Sequence, residues 1–233
     1  MTRPGRPPQD PARQLERAHR ILDAVAELVL RWGYDKTTID DLAKRAGVAK
    51  GTIYLHWKTR DDIFAALLRR ERVLMLAEVR ERGPATLSEL FGEISRALLR
   101  RPLLQAVLTG DSEVLGKLTR QKRHSTTGFQ LDEPFDAYLA ELVEHGALRA
   151  EPREHVLVAT SIVYGFLCLP HASRPSDDRL ADLVAVTIER TMGTGRTLTD
   201  AKAKAVERAT HDFLGAIAEV AERRLATSLG GLK

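Results

Sequence analysis

The 233-residue sequence has a single cysteine, Cys168. One thiol excludes a framework of intrachain disulfides and accords with a reducing cytoplasm, where the chain is expected to reside. Long hydrophobic runs are missing too. The longest, Ala159 to Leu169, is interrupted by Thr160, Ser161 and Gly165 and is too short to cross a bilayer. The opening residues are rich in proline and arginine with no apolar core, so neither a secretory signal nor a membrane partner is expected. No internal repeat or long low-complexity tract occurs. Nor is there a constellation that carries catalysis. The seven histidines (His19, His56, His124, His145, His155, His171 and His211) are scattered, with no His-Glu-x-x-His and no pair at metal-ligand helical spacing. Cys168 and His171 stand three apart across the helix end imposed by Pro170, where a buried thiol beside a satisfied histidine is the ordinary reading. The acidic pairs Asp40-Asp41, Asp61-Asp62 and Asp177-Asp178 fall in first turns, where they complement the helix dipole. Catalytic residues, metal ligands and cofactors are all expected to be absent, and the chain is not read as an enzyme.

What is present is a charge that is small in sum and uneven in placement. Apolar residues make up 43% and charged residues 29%, the balance of a soluble globular protein with one large domain or two small ones. The net charge is +4, yet residues 1–60 hold 12 Lys/Arg against 7 Asp/Glu, and the remainder holds 24 against 25. The positive field therefore sits on the N-terminal quarter, as it does in proteins that meet nucleic acid.

That quarter contains two short helical patterns around a glycine. Ile39, Leu42, Ala43 and Ala46 share one helix face. Thr38 or Thr37 precedes it, with Asp41 or Asp40 three residues on, so either pair can cap the start. Gly47 supplies the left-handed backbone of a tight turn. A second helix, from about Ala49 or Lys50 to His56, has few apolar members (Ile53, then Trp57), which leaves Lys50, Thr52, Tyr54 and His56 largely outward. This is the pattern of a helix-turn-helix, whose second helix enters the DNA major groove.

Residues Arg13 to Arg72 resemble the DNA-binding domain of the TetR (tetracycline-repressor-like) family of bacterial transcription regulators. The resemblance rests on Gly33-Tyr34, the paired threonines, Ala46-Gly47-Val48 at the turn, Lys50-Gly51-Thr52-Ile53-Tyr54, His56-Trp57-Lys58, and Asp61-Asp62-Ile63-Phe64 opening the next helix. Three positions depart mildly: Trp57 and Leu30 stand where phenylalanine is common, and Arg60 where lysine is common. The resemblance implies a homodimeric repressor, released from a palindromic DNA operator when a small, apolar effector binds its C-terminal part. Other readings are a non-specific architectural DNA binder, or an all-α enzyme or ligand carrier with a DNA-binding head. Lys50, Thr52 and Tyr54 are the candidates for reading bases, Tyr54 by touching a thymine methyl or else by stacking on the sugar-phosphate; Gly51 lets the backbone come close, and Thr38, His56, Lys58 and Arg60 are candidate phosphate contacts. Trp57 is read as core.

Taken in order, Met1 to Pro11 is an arm. Its four prolines prevent a helix, and Arg3 and Arg6 resemble a minor-groove hook, although a solvated tail is the plainer alternative. Helix one spans about Ala12 to Trp32, with Leu15, Ala18, Leu22, Val25, Val29 and Trp32 as its stripe. A long helix runs from about Arg60 to Arg82 and ends at Gly83-Pro84. Every later periodic segment reads as helix and no alternating strand is evident, so the fold class is all-α. The division expected is an arm over 1–11, a three-helix DNA-binding domain over 12–72, and a helical ligand-binding and dimerisation domain over 73–233.

Within the last of these, a helix over about 153–169 carries apolar residues nearly all round and is expected to be buried on most sides. A helix over about 177–192 follows. By order and hydrophobicity the resemblance assigns these two to the dimer interface. Candidates to line an effector pocket are Phe91, Leu104, Leu108, Phe135, Tyr138, Tyr164, Phe166, Cys168 and His171, each of which has core packing as its commoner role. Gly193-Thr194-Gly195-Arg196 lacks the residues of a phosphate loop and reads as a linker. An additional helix over about 199–229 is expected to pack on the body or extend the dimer contact.

Overall fold

Local sequence signals set most of the helix ends. The structure is a computed structural model that describes residues 10–117, 132–151, 154–169 and 174–229. Among these residues the regular structure is helical, apart from one isolated antiparallel bridge between Leu148 and Gly193. The arm with Arg3 and Arg6, the polar stretch after Lys117, and His171 lie outside them.

Helix α1 (Pro11–Trp32) starts where the Asp10 carboxylate accepts the Ala12 N–H. Helix α2 (Ile39–Ala46) starts at a capping box in which Thr38 and Asp41 satisfy each other's backbone N–H groups. Gly47, at φ 65°, turns the chain into α3 (Lys50–His56). Thr59 and Asp62 repeat the box at the start of α4 (Arg60–Arg82). Then follow α5 (Leu87–Leu99), α6 (Pro102–Thr109), α7 (Ser112–Leu115), α8 (Asp132–Glu144), α9 (His155–Leu167), α10 (Asp177–Met192) and α11 (Asp200–Leu229).

Two apolar clusters organise these helices. One gathers the buried sides of α1, α2, α3 and the first half of α4, among them Ile21, Leu22, Leu42, Ile53, Ile63 and Leu67. The other joins the second half of α4 to α5, α8, α9, α10 and α11. Helix α4 thus belongs to both. So does α11, which runs antiparallel to α4: Thr210 reaches the Ala85 carbonyl beyond the end of α4, while Ser228 lies beside Arg69 in its first half. Helices α5 and α10 lie close together at Gly92, where a Cβ would come within 3.1 Å of the Ala185 methyl.

Two expectations about burial need correction. Leu15 and Trp32 lie on the α1 stripe but are 44% and 41% exposed, because the neighbouring helices cover only the middle of α1, from Ala18 to Val29. Helix α9 is buried along one stripe alone (His155, Ala159, Val163, Leu167), and the opposite side leaves Leu157 64% and Tyr164 47% exposed. A helix in one chain buries only the side its neighbours reach, so the all-round apolar pattern leaves a second face uncovered.

Candidate nucleic-acid interface

The inward side of α3 is anchored by Ile53, fully buried against α1 and α2, a burial that contributes roughly 1.5–3 kcal/mol. Because Ile53 points inward, helical geometry turns Gly51, Tyr54 and Leu55 out, and Lys50 is exposed because it opens the helix. All four are exposed, Tyr54 at 49% and Leu55 at 54%, and Thr52 is half-buried. A Cβ at Gly51 would meet nothing within 4 Å, so the helix is open there to the close approach of another backbone. Lys58, just past α3, is also exposed, and Thr38 stands exposed at the α2 start. The arrangement is a short helix held by one apolar plug, presenting an ammonium, a bare backbone and a phenol on one outer surface.

Two residues proposed from sequence do not stand on that surface. His56 is only 8% exposed and its ring lies tilted against Trp57, with centroids 5.3 Å apart. Its Nδ1 is buried and has no hydrogen-bond partner among the described residues. The last turn of α3 swings this side chain back beneath the helix, so the outward placement is corrected. Burial, and secondarily the charge of Arg17, hold the imidazole pKa below its ordinary 6.5. Arg60 is turned inward as well. Its guanidinium sits 4.1 Å from the Tyr34 ring centroid and donates to the Thr37 carbonyl at 2.8 Å, tying α4 to the loop before α2. Tyr34 in turn donates to the Asp61 carboxylate, and burial together with that bond pushes the phenol up to about 12.

The buried imidazole has a consequence for stability. A histidine whose folded pKa is depressed binds fewer protons folded than unfolded. Its contribution is complete above about pH 6.5 and is lost as pH falls through the folded value. Urea midpoints measured at about pH 7.5 and about pH 5.5 should fall between the two for the native chain and fall less for His56→Gln.

Sequence inspection missed two features. Lys50 Nζ lies 2.9 Å from Asp40 Oδ1, an exposed pair that joins the starts of α2 and α3 and raises the lysine pKa. No short-range signal marks a pair ten residues apart. Exposed Leu55 was the other, and the helical period counted from Ile53 does mark it as outward.

In the body, Phe91, Leu108 and Phe135 line an apolar cavity together with Leu90, Ile94, Leu98, Thr160, Val163, Phe213 and Ile217. It encloses only about 40 Å³ of free space. The remaining pocket candidates lie elsewhere. Tyr138 is buried against Phe213, its hydroxyl bonded to Thr210 at 3.0 Å. Leu104 and Phe166 pack partly buried on the core, while Tyr164 and Cys168 face outward. The reason is again the single stripe of α9: Val163 points to the cavity, and its neighbour Tyr164 points away.

Residues 21–67, which include the whole of α2 and α3, match the family model described as bacterial regulatory proteins, tetR family. Over these residues the chain resembles the DNA-binding segment of the TetR family. A fatty acid metabolism regulator protein of Bacillus subtilis is 40% identical over 52 residues, which cover 22% of this chain and 27% of that one. The HTH-type transcriptional repressor KstR of Mycolicibacterium smegmatis is 31% identical over 102 residues, covering 41% of this chain and 50% of the repressor. The chain thus aligns with about half or less of the length of these curated relatives. The fold extends further than the sequence similarity. A candidate tetR-family transcription regulator from Shewanella sp. PV-4 superposes with a TM-score of 0.53 at 17% identity, over 76% of this chain and 98% of that one. A candidate transcriptional regulator of Streptomyces coelicolor gives 0.52 at 21% identity, over 75% and 97%. The chain therefore has an N-terminal helix-turn-helix, in the segment matched by the tetR family model, followed by a helical body whose fold it shares with these structures.

Proposed function

We propose that the chain is a sequence-specific DNA-binding repressor that acts as a homodimer on a palindromic operator and lets go when a small apolar effector enters its body. The observation that carries the reading is the outer surface of α3, where Lys50, Gly51 and Tyr54 stand exposed on a helix fixed from behind by Ile53. In this reading residues 12–72 form the DNA-binding unit, 73–233 the regulatory and dimerising unit, and the arm over 1–11 lies alongside the duplex. Lys50, Thr52 and Tyr54 contact base edges and Lys58 and Thr38 contact phosphate. Two copies pair through the uncovered side of α9 and the adjoining α10, which sets two α3 helices in successive major grooves about 34 Å apart.

The cavity supports the effector half of the proposal. Its lining is apolar except for Thr160. An occupant of usual ligand size needs roughly 300 Å³ or more, so its entry has to part α5, α9 and α11. Such a movement favours a second spacing of the reading heads by the difference in effector affinity between the two states.

Selection of bound duplexes from a random DNA pool, at near-physiological salt, tests the reading. A single enriched palindrome is the expected result. The ratio of operator to random affinity should then be about 10³ or more, and a ratio near one would indicate an architectural binder instead.

A further inference from the structure

The last turn of α11 does not stop at the body. It continues into the cluster that holds the DNA-reading helices, where Leu225 and Leu229 pack. There the indole N–H of Trp57 donates to the Ser228 carbonyl at 3.1 Å, and the Arg69 guanidinium donates to the Ser228 hydroxyl. Trp57 is the residue that ends α3: its backbone N–H closes the helix on the Ile53 carbonyl. One side chain therefore both follows directly on the candidate recognition helix and binds α11. The phenylalanine common at this position in the family has no such N–H to give.

At the other end, the same helix lines the cavity with Phe213 and Ile217. Ile217 and Ser228 are eleven residues apart, about 17 Å along a continuous helix. Tyr138 and Thr210 hold α11 to α8 at the body end. The cavity has almost no free space, so an occupant must displace its lining.

We infer that α11 is a strut that positions α3: it transmits displacement of the cavity wall at Phe213 and Ile217 to the end of α3 through the Trp57–Ser228 contact. This rests on the reading of the body cavity as an effector site and of α3 as the DNA-reading helix. Trp57 acts here as a positioning residue, since it reaches DNA only through α3.

The test is a double-mutant cycle on the full chain, read by amide hydrogen exchange of residues 50–57, a measurement that needs neither DNA nor effector. Ile217→Phe enlarges the cavity wall on α11, and Trp57→Phe removes the donor while keeping an aromatic plug. Ile217→Phe should speed exchange at 50–57 by about five-fold in the Trp57 chain and by less than about two-fold in the Trp57→Phe chain. Operator affinity, once an operator is selected, should show the same non-additivity. If Trp57→Phe does not fold, Trp57→Leu replaces it, because it too removes the donor to the Ser228 carbonyl while keeping an apolar plug and leaving Leu225 and Leu229 in place. Equal effects of Ile217→Phe in both backgrounds would overturn the strut. A random-pool selection with no motif would instead overturn the DNA-reading assignment, and the exchange cycle would stand or fall separately.

Discussion

Tyr54→Ala and Lys50→Ala should each cut the preference for operator over random duplex by about ten- to a hundred-fold, while the dimer and the helical content stay unchanged. The physical ground is the placement of both side chains. They are exposed, they contribute nothing to the buried cluster behind α3, and their removal leaves no cavity. A stability effect of the size seen for core truncations is therefore not expected. Lys58→Ala should behave differently. Lys58 is exposed just beyond the helix, and under the proposed reading its ammonium meets phosphate, so the loss should be similar on every sequence and should lower the salt dependence by about one counterion. Lys50 is held at rest by Asp40, and that exposed pair is easily exchanged for a base or phosphate. Asp40→Asn should accordingly raise affinity for random and operator DNA alike, since it removes both a competitor for the ammonium and a negative charge near the duplex. Affinities of the four variants on operator and on scrambled duplex, each at two salt concentrations, check the whole set. Unchanged discrimination in both Tyr54→Ala and Lys50→Ala would remove the assignment of α3.

The second large effect concerns the exposed side of α9. Leu157→Asp places a charge at the N-terminal end of a surface that also carries Ser161, Tyr164, Gly165 and Cys168 at helical spacing. Leu157 is 64% exposed in the single chain, so the substitution should leave the fold and its melting transition nearly intact. If this side and Val186 on α10 meet their twins, burying the new carboxylate costs more than the contact returns. The dimer should then dissociate at micromolar concentration. Operator affinity should fall by about a hundred-fold or more, because two half-sites are no longer engaged by one linked molecule. Light scattering after size exclusion reads the first and equilibrium binding the second. A dimer that survives Leu157→Asp places the interface elsewhere.

Much of the fold was legible because it is written in local, short-range chemistry. The spacing left Thr37–Asp40 and Thr38–Asp41 both open at the start of α2, and the box that forms is Thr38–Asp41; Thr59 and Asp62, also three apart, form the box of α4. Gly47 ends α2 in the left-handed backbone expected of it, and α4 ends at Gly83 as expected, there too in the left-handed region. The bounds of α3 and α4 follow from these signals and from the position of Ile53. The outward side of α3 followed as well, up to its last turn. There the period alone could not say that His56 is drawn under the helix beside Trp57 or that Arg60 is stacked on Tyr34, because both contacts depend on partners whose approach is set by packing.

By itself the sequence determined the all-α class, the helix-turn-helix, the uneven charge and the resemblance to the TetR family, since caps, turns, periodicity and composition are properties of neighbours in the chain. Only the tertiary structure decided which side of α9 stays uncovered, which candidate aromatics share a cavity, and where α11 ends. Those depend on residues such as Phe91, Phe135 and Phe213, or Trp57 and Ser228, which lie tens to more than a hundred positions apart and meet only after helices have packed. Helical periodicity states that a residue points sideways, and packing against other helices decides what stands on that side.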